Sequence, residues 1–246
     1  MRTTLLLIFG LLICGTPVTA QNGTIQWFKD LQRASAAARE TNKPMMIEFW
    51  ADWCAPCKIM EAEVYTDARV ATALRQKMVA VRISFDLQTT LVRQYNVEAI
   101  PHIVFTNSFG TELLRHRGII GAEDLAAVIE ALPADISEFN RLDGILQKDK
   151  KNFAALQDMA SRLRAAGLYE SSNGFYTRAV NMNEARKNPA LREAILLDMG
   201  LNFLDMQDGK QAAAVFERCL KEFPNSDNRA RFTLELARAR RLLSAL

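Results

Sequence analysis

The apolar positions of this chain change period several times before residue 133, and each change marks an element. Ile25, Phe28, Leu31 and the alanine-rich run over 34–38 recur at helical spacing, which predicts an amphipathic helix over 25–40. Asn42-Lys43-Pro44 breaks it. Met45-Met46-Ile47-Glu48-Phe49-Trp50 is apolar on both parities except at Glu48, the pattern of a strand buried on both faces. A helical pattern follows over 57–65, and Asp67 reads as the N-cap of a helix carrying Val70, Ala73 and Leu74. Residues 78–85 alternate as a strand, and 90–95 form a short helix. Ile100-Pro101 opens a strand over 100–105, which turns at Asn107-Ser108-Phe109-Gly110 into a partner strand over 112–117. Gly118 and Gly121 punctuate, and a closing helix runs over 123–132. The order β-α-β-α-β-β-α predicts a mixed sheet covered by helices on both faces.

After Leu132 the composition shifts. Pro133-Ala134-Asp135 reads as a boundary, and everything beyond it is patterned as helix. Within this half one helix-turn-helix pattern occurs twice. Leu156, Gly167-Leu168-Tyr169, Phe175-Tyr176 and Ala179 are echoed by Leu197, Gly200, Gly209, Ala212-Ala213, Phe216, Leu220 and Pro224. Residues 181–189 lengthen the spacing between the units, and residues 228–243 read as a capping helix. The repeats resemble tetratricopeptide repeats. Two of them bury little alone, so they are expected to pack on the helix over 136–146 or on the first half.

The N-terminus reads as a targeting segment. Arg2 is followed by an apolar core over 5–13, too short for a permanent span, and Val18-Thr19-Ala20 has the small residues of a cleavage site. The expected organisation is a cleaved signal peptide over 1–20, an α/β domain over 21–133 and a helical domain over 134–246. That places the mature chain outside the cytoplasm, in a bacterial periplasm or secreted, with no membrane span. The formal net charge of +3 is too small to point to nucleic acid. The basic excess lies near the end, at Arg229, Arg231, Arg238, Arg240 and Arg241, and suits a solvated helix face.

The chemistry concentrates in Trp53-Cys54-Ala55-Pro56-Cys57-Lys58. A strand becomes a helix here, and cysteines at i and i+3 share one face of the first turn, close enough to form a disulfide. Cys54 falls near the N-cap, where unpaired N–H groups and the positive end of the helix dipole favour a thiolate, the nucleophilic form. Cys57, one turn in, suits the resolving role. Pro56 fits the first turn, where its missing N–H has no partner to lose. A zinc site would need four ligands, and Cys219, His102 and His116 show no ligand spacing, so no metal is expected. Cys219 lies in the second repeat and reads as a small buried hydrophobe. His102 is expected to be packed and Lys58 solvated.

The segment Phe49-Trp50-Ala51-Asp52-Trp53-Cys54-Ala55-Pro56-Cys57-Lys58, with Ile100-Pro101, resembles the thioredoxin superfamily over about residues 24–133. Ala55 stands where thioredoxin has Gly, and Ala62 where the family has a kinking proline. Glu61-Ala62-Glu63-Val64-Tyr65-Thr66-Asp67 is closer to the C-terminal periplasmic domain of the DsbD electron relays. The resemblance implies an α/β thioredoxin fold followed by the all-α repeat region. It implies that Pro101 is cis and sits beside the cysteines, with neighbouring backbone, Ile100 included, open to an extended substrate. It places Glu48 where thioredoxins carry a buried Asp, and Arg82 where they carry a Lys. Glu48 is then either a structural partner of Arg82 or a proton acceptor for Cys57. Trp53 is read as a cover beside Cys54. The function implied is a thiol–disulfide oxidoreductase with protein or peptide disulfide substrates and no cofactor beyond the Cys54–Cys57 pair. Pro56 and Ile100 lean toward the reducing side, which calls for an electron donor such as a DsbD-type membrane relay. Oxidase or isomerase action is the alternative within enzymes. The alternative from another class is a module, or a redox chaperone, in which the repeats bind a protein partner and the α/β domain is a scaffold.

Overall fold

The computed structural model describes residues 24–244, so the expected signal peptide, with Cys14, lies outside the described residues. The chain forms β1 (Trp27–Phe28), α1 (Leu31–Thr41), β2 (Met45–Trp50), α2 (Ala55–Ile59), a π-turn over Met60–Val64, α3 (Ala68–Lys77), β3 (Val79–Ser84) and α4 (Thr89–Gln94). There follow β4 (His102–Thr106), β5 (Glu112–Arg117) and α5 (Ala122–Ala131). The strands make one sheet of order β1-β3-β2-β4-β5, parallel at β1/β3 and β2/β3 and antiparallel at β2/β4 and β4/β5. This is the mixed, helix-covered sheet expected from the sequence.

One element differs. Trp27 and Phe28, expected inside the first helix, are extended and pair with Ala80 and Val81. The reason is local. Asp30 accepts a hydrogen bond from Arg33 N at 2.8 Å, and this N-cap starts the helix at Leu31, leaving the two aromatics free to join the sheet edge.

β2 shows why the sheet needs two helical layers. Met45, Ile47 and Phe49 pack with Ala34, Ala38, Val92 and Tyr95 on the α1/α4 side. Met46, on the other parity, packs with Met60, Val64, Tyr65, Leu74, Leu125 and Ile129 on the α3/α5 side. Glu48 shares the second face.

The rest of the described chain is helical: α6 (Ser137–Lys148), α7 (Phe153–Ala165), α8 (Tyr169–Val180), α9 (Asn183–Lys187), α10 (Pro189–Asp205), α11 (Gly209–Glu222) and α12 (Arg229–Ser244). Small residues set the closest approaches. A Cβ at Gly200 on α10 would lie 2.6 Å from Phe216 Cζ on α11. The short α9 fills the lengthened spacing between the helix pairs. Apolar packing is continuous from the α3/α5 face of the sheet through Ile136, Phe139 and Leu142 into α7–α12. Polar bonds fasten the same junction. Asp143 on α6 accepts from Asn107 Nδ2 at 3.1 Å and Thr111 Oγ1 at 2.7 Å. Asn140 accepts from Ser108 Oγ at 2.8 Å. Ser171 Oγ on α8 donates to the Leu113 carbonyl of edge strand β5 at 2.8 Å.

Candidate active site

Residues 51–54 turn the end of β2 into α2, with Cys54 N donating to the Ala51 carbonyl at 3.1 Å. Cys54 is the N-cap in extended conformation, and its Sγ accepts from Cys57 N at 3.1 Å. A sulfur thus occupies the position where a capping oxygen would meet an orphan helix N–H. Pro56 sits in the first turn. The cysteines are joined by a disulfide of 2.01 Å with Cα atoms 5.3 Å apart, and both are buried, packed with Ala51, Trp50, Phe85 and Ile100. Burial does not distinguish them in this oxidised form; position on the helix does. Trp53 is 65% exposed, donates through Nε1 to Asp86 Oδ2 at 2.9 Å and meets Phe85 edge-on. The Ile100–Pro101 peptide bond is cis, and the Pro101 carbonyl accepts from Gly118 N at 2.9 Å.

Trp50, which packs on the disulfide, also meets a buried charge cluster. Glu48 has no exposed surface. Its Oε2 accepts from Arg82 Nε at 2.7 Å, while its Oε1 has no hydrogen-bond partner. Arg82 also donates through Nη1 to Glu61 Oε1 at 3.0 Å. Its guanidinium is stacked between Trp27 and Trp50, at 5.1 and 4.5 Å from their ring centres. Burial pushes the Glu48 pKa above its ordinary value, against the pull of the Arg82 charge. Burial opposes the charge of Arg82, but the carboxylates of Glu48 and Glu61 outweigh it and hold that pKa up. Tyr65 stands close enough to Glu48 to influence it, yet its hydroxyl completes no hydrogen bond, and burial raises its pKa well above the ordinary value.

The sequence reading named Glu48 and Arg82 but missed Glu61, Tyr65 and Trp27. The π-turn explains the first two. Tyr65 N bonds to the Met60 carbonyl five residues back, and the added residue per turn rotates the following side chains relative to an α-helix. No local spelling announces this. Trp27 was missed because its strand was read as helix. His102 is packed, edge-on to Phe49, with a pKa lowered by burial and then by Arg115 and Arg117. Lys58 is exposed. Cys219 is a buried free thiol on α11, remote from the pair in the fold. Among the described residues no group of three His, Cys, Asp or Glu side chains could hold a metal ion.

A mixed sheet of this order, with a disulfide-bonded C-x-x-C pair at the N-terminus of the helix after its central strand, defines a thioredoxin fold. Residues 26–108 match the thioredoxin-like family model, and this part of the chain is a thioredoxin-superfamily domain. It is similar to the thiol:disulfide interchange protein DsbD 1 of Pseudomonas aeruginosa, 35% identical over 120 residues, or 48% of this chain and 20% of the relative. It is also similar to the bifunctional thioredoxin reductase/thioredoxin of Mycobacterium leprae, 30% identical over 100 residues, or 41% of this chain and 20% of the relative. The chain thus spans about a fifth of the length of these relatives. Among solved structures, the oxidised C-terminal domain of Neisseria meningitidis DsbD is 23% identical, with 43% of this chain and 97% of that one covered and a TM-score of 0.38.

Proposed function

We propose that this protein is a thiol–disulfide oxidoreductase that reduces disulfides in protein or peptide substrates outside the cytoplasm. The observation that carries the reading is the Cys54–Cys57 disulfide at the cap of α2, beside Ile100 and Pro101. In the reduced protein, Cys54 thiolate attacks one sulfur of a substrate disulfide. The Cys54–substrate bond forms as the substrate S–S bond breaks, and the released thiolate takes up a proton. Cys57, deprotonated, then displaces the bound substrate sulfur. The domain is left oxidised and the substrate carries two thiols. Glu48 is proposed to take the Cys57 proton: burial raises its pKa and so strengthens it as a base, and its unpaired Oε1 has acceptor capacity to spare. Trp53 covers Cys54, and Ile100 and Pro101 border the substrate. The disulfide pair is the redox group, with no further cofactor.

The reducing direction rests on Pro56 and Ile100 and on the DsbD relatives, which also suggest a membrane relay of DsbD type as electron donor and a periplasmic setting. No described helix is long and apolar enough to cross a membrane. The proposed organisation is a signal peptide over 1–20, a redox domain over 21–133 and a tetratricopeptide-like domain over 134–246 that holds a protein partner. Trapping tests the reading. Cys57→Ser is expected to accumulate mixed disulfides on Cys54, identifiable by mass spectrometry, and Cys54→Ser none. The reduction potential is expected near the thioredoxin value of about −270 mV; one near about −120 mV would reverse the direction to disulfide formation.

A further inference from the structure

Beside the active site a cleft of about 420 Å³ runs from Ile100 and Pro101 along β5 to the start of α8. Its walls come from both halves of the chain. The sheet half supplies Glu98 and Arg117; the helical half supplies Glu170. The position of Glu170 is set by structure, because its neighbour Ser171 bonds to the Leu113 carbonyl and fastens the first turn of α8 to the edge strand. Edge carbonyls of this kind are otherwise open to pairing; the contact occupies this one and leaves the Glu170 carboxylate at the rim of the cleft.

The charges in the cleft are unequally committed. Arg115 is bound by both carboxylate oxygens of Glu112 and donates to the Tyr95 carbonyl at 3.2 Å, so it offers little to a ligand. It feels Glu170 electrostatically but does not pair with it. His102 is buried in the floor, and burial and the neighbouring arginines disfavour its cation. The side chains of Glu98, Glu170 and Arg117 are exposed and take part in no hydrogen bond or ion pair among the described residues. Two free carboxylates therefore face one free guanidinium, and a cation entering the cleft gains more than an anion does.

We propose that this cleft is a substrate subsite built jointly by the two halves, and that it selects disulfide substrates carrying a basic side chain next to the reacting cysteine. The inference rests on the proposed oxidoreductase function and adds a role for the helical half: Glu170 makes it part of the substrate surface. The attraction is between exposed groups, so its size is that of a surface ion pair, about two- to fivefold in rate, and it is screened by salt.

Two synthetic peptide disulfides, identical except for Lys or Glu beside the cysteine, test it in single turnovers with pre-reduced protein. The Lys peptide is expected to react about two- to fivefold faster at low ionic strength, and the ratio to shrink toward one in about 1 M salt. Glu170→Gln is expected to shrink the ratio and Arg117→Gln to raise it. A ratio that Glu170→Gln leaves unchanged, or a faster Glu peptide, overturns the proposal. Reduction of hydroxyethyl disulfide by the wild-type protein reads the dithiol chemistry alone. If that fails, the oxidoreductase reading fails with it; if it succeeds while the peptides react alike, only the subsite falls.

Discussion

Glu48 and Arg82 face each other across the β2/β3 register, joined at 2.7 Å, with the carboxylate wholly buried and its second oxygen unpaired. The arginine is shared with Glu61, so Glu48 holds only part of its charge. Such a pair is costly to bury and costly to break by halves.

The first prediction follows from that asymmetry. Glu48→Gln keeps the shape and removes the base. Resolution of the mixed disulfide by Cys57 is expected to slow by about 10-fold or more, with the first attack by Cys54 nearly unchanged. Stopped-flow measurement separates the two steps; equal rates in wild type and variant would make Glu48 purely structural.

The same residue gives a pH signature. The folded pKa of Glu48 is raised above 4.5, so its carboxyl binds a proton more tightly in the folded state than in the unfolded one. The stability this confers is present below the unfolded pKa and is lost as pH rises through the folded value. Glu48→Gln removes that loss. Thermal melts of the variant and wild type are expected to diverge in the variant's favour as pH rises from about 4.5 toward neutrality. A gap that widens the other way would mean that Arg82 outweighs burial.

The sequence disclosed the redox half well because its signals are local. A doubly apolar strand, a C-x-x-C, an N-cap at Asp67 and an Ile-Pro before a strand each act within a few residues. What stayed hidden depends on partners distant in the chain. Trp27 and Phe28 look helical until β3 is there to pair with them. Glu61 and Tyr65 reach the buried carboxylate through a π-turn with no spelling of its own. Asn107 and Ser108 read as part of a hairpin turn, yet both are buried beneath α6, because Asp143 and Asn140 supply the hydrogen bonds that water would otherwise give.

That junction carries its own prediction. Asp143→Ala strands the buried Asn107 amide, which costs about 1–3 kcal/mol, while the half-buried Thr111 hydroxyl can turn to water. Urea unfolding is expected to show a loss in that range, with Asp143→Asn losing less. A change of under about 0.5 kcal/mol would mean that the Asn107 amide finds water as well.

Two glycines separate packing from propensity in the helical half. Ala is preferred to Gly in a helix interior by about 0.8–1 kcal/mol. Gly174 on α8 has open space where a Cβ would go, so Gly174→Ala is expected to stabilise by up to about 1 kcal/mol. At Gly200 a Cβ would meet the Phe216 ring at 2.6 Å. Overpacking of this kind costs about 1–3 kcal/mol, enough to cancel or exceed the propensity gain. Gly200→Ala is therefore expected to melt below Gly174→Ala; the reverse order would mean that the α10/α11 contact yields freely.

The three described cysteines should differ in reactivity, and the order tests the assignment of the nucleophile. Among the described residues only Cys219 is a thiol in the oxidised protein, and it is buried on α11 with its pKa pushed up to about 12, chiefly by burial and then by Glu193 and Glu222. A thiol of that kind is almost entirely protonated at pH 8, and the thiolate is the reacting form. Native oxidised protein is therefore expected to take up almost no alkylating reagent, and to take up one equivalent at Cys219 on unfolding. Reduction adds the pair. Cys54 caps the helix and its sulfur accepts the N–H of Cys57, while Cys57 lies one turn inside. The cap position favours the Cys54 thiolate, so mass mapping after a short pulse of iodoacetamide is expected to find the label on Cys54 first. Early label on Cys57 would exchange the two roles. Early label on Cys219 would mean that α11 opens readily, and that the helical half is far less tightly packed than its continuous apolar core implies.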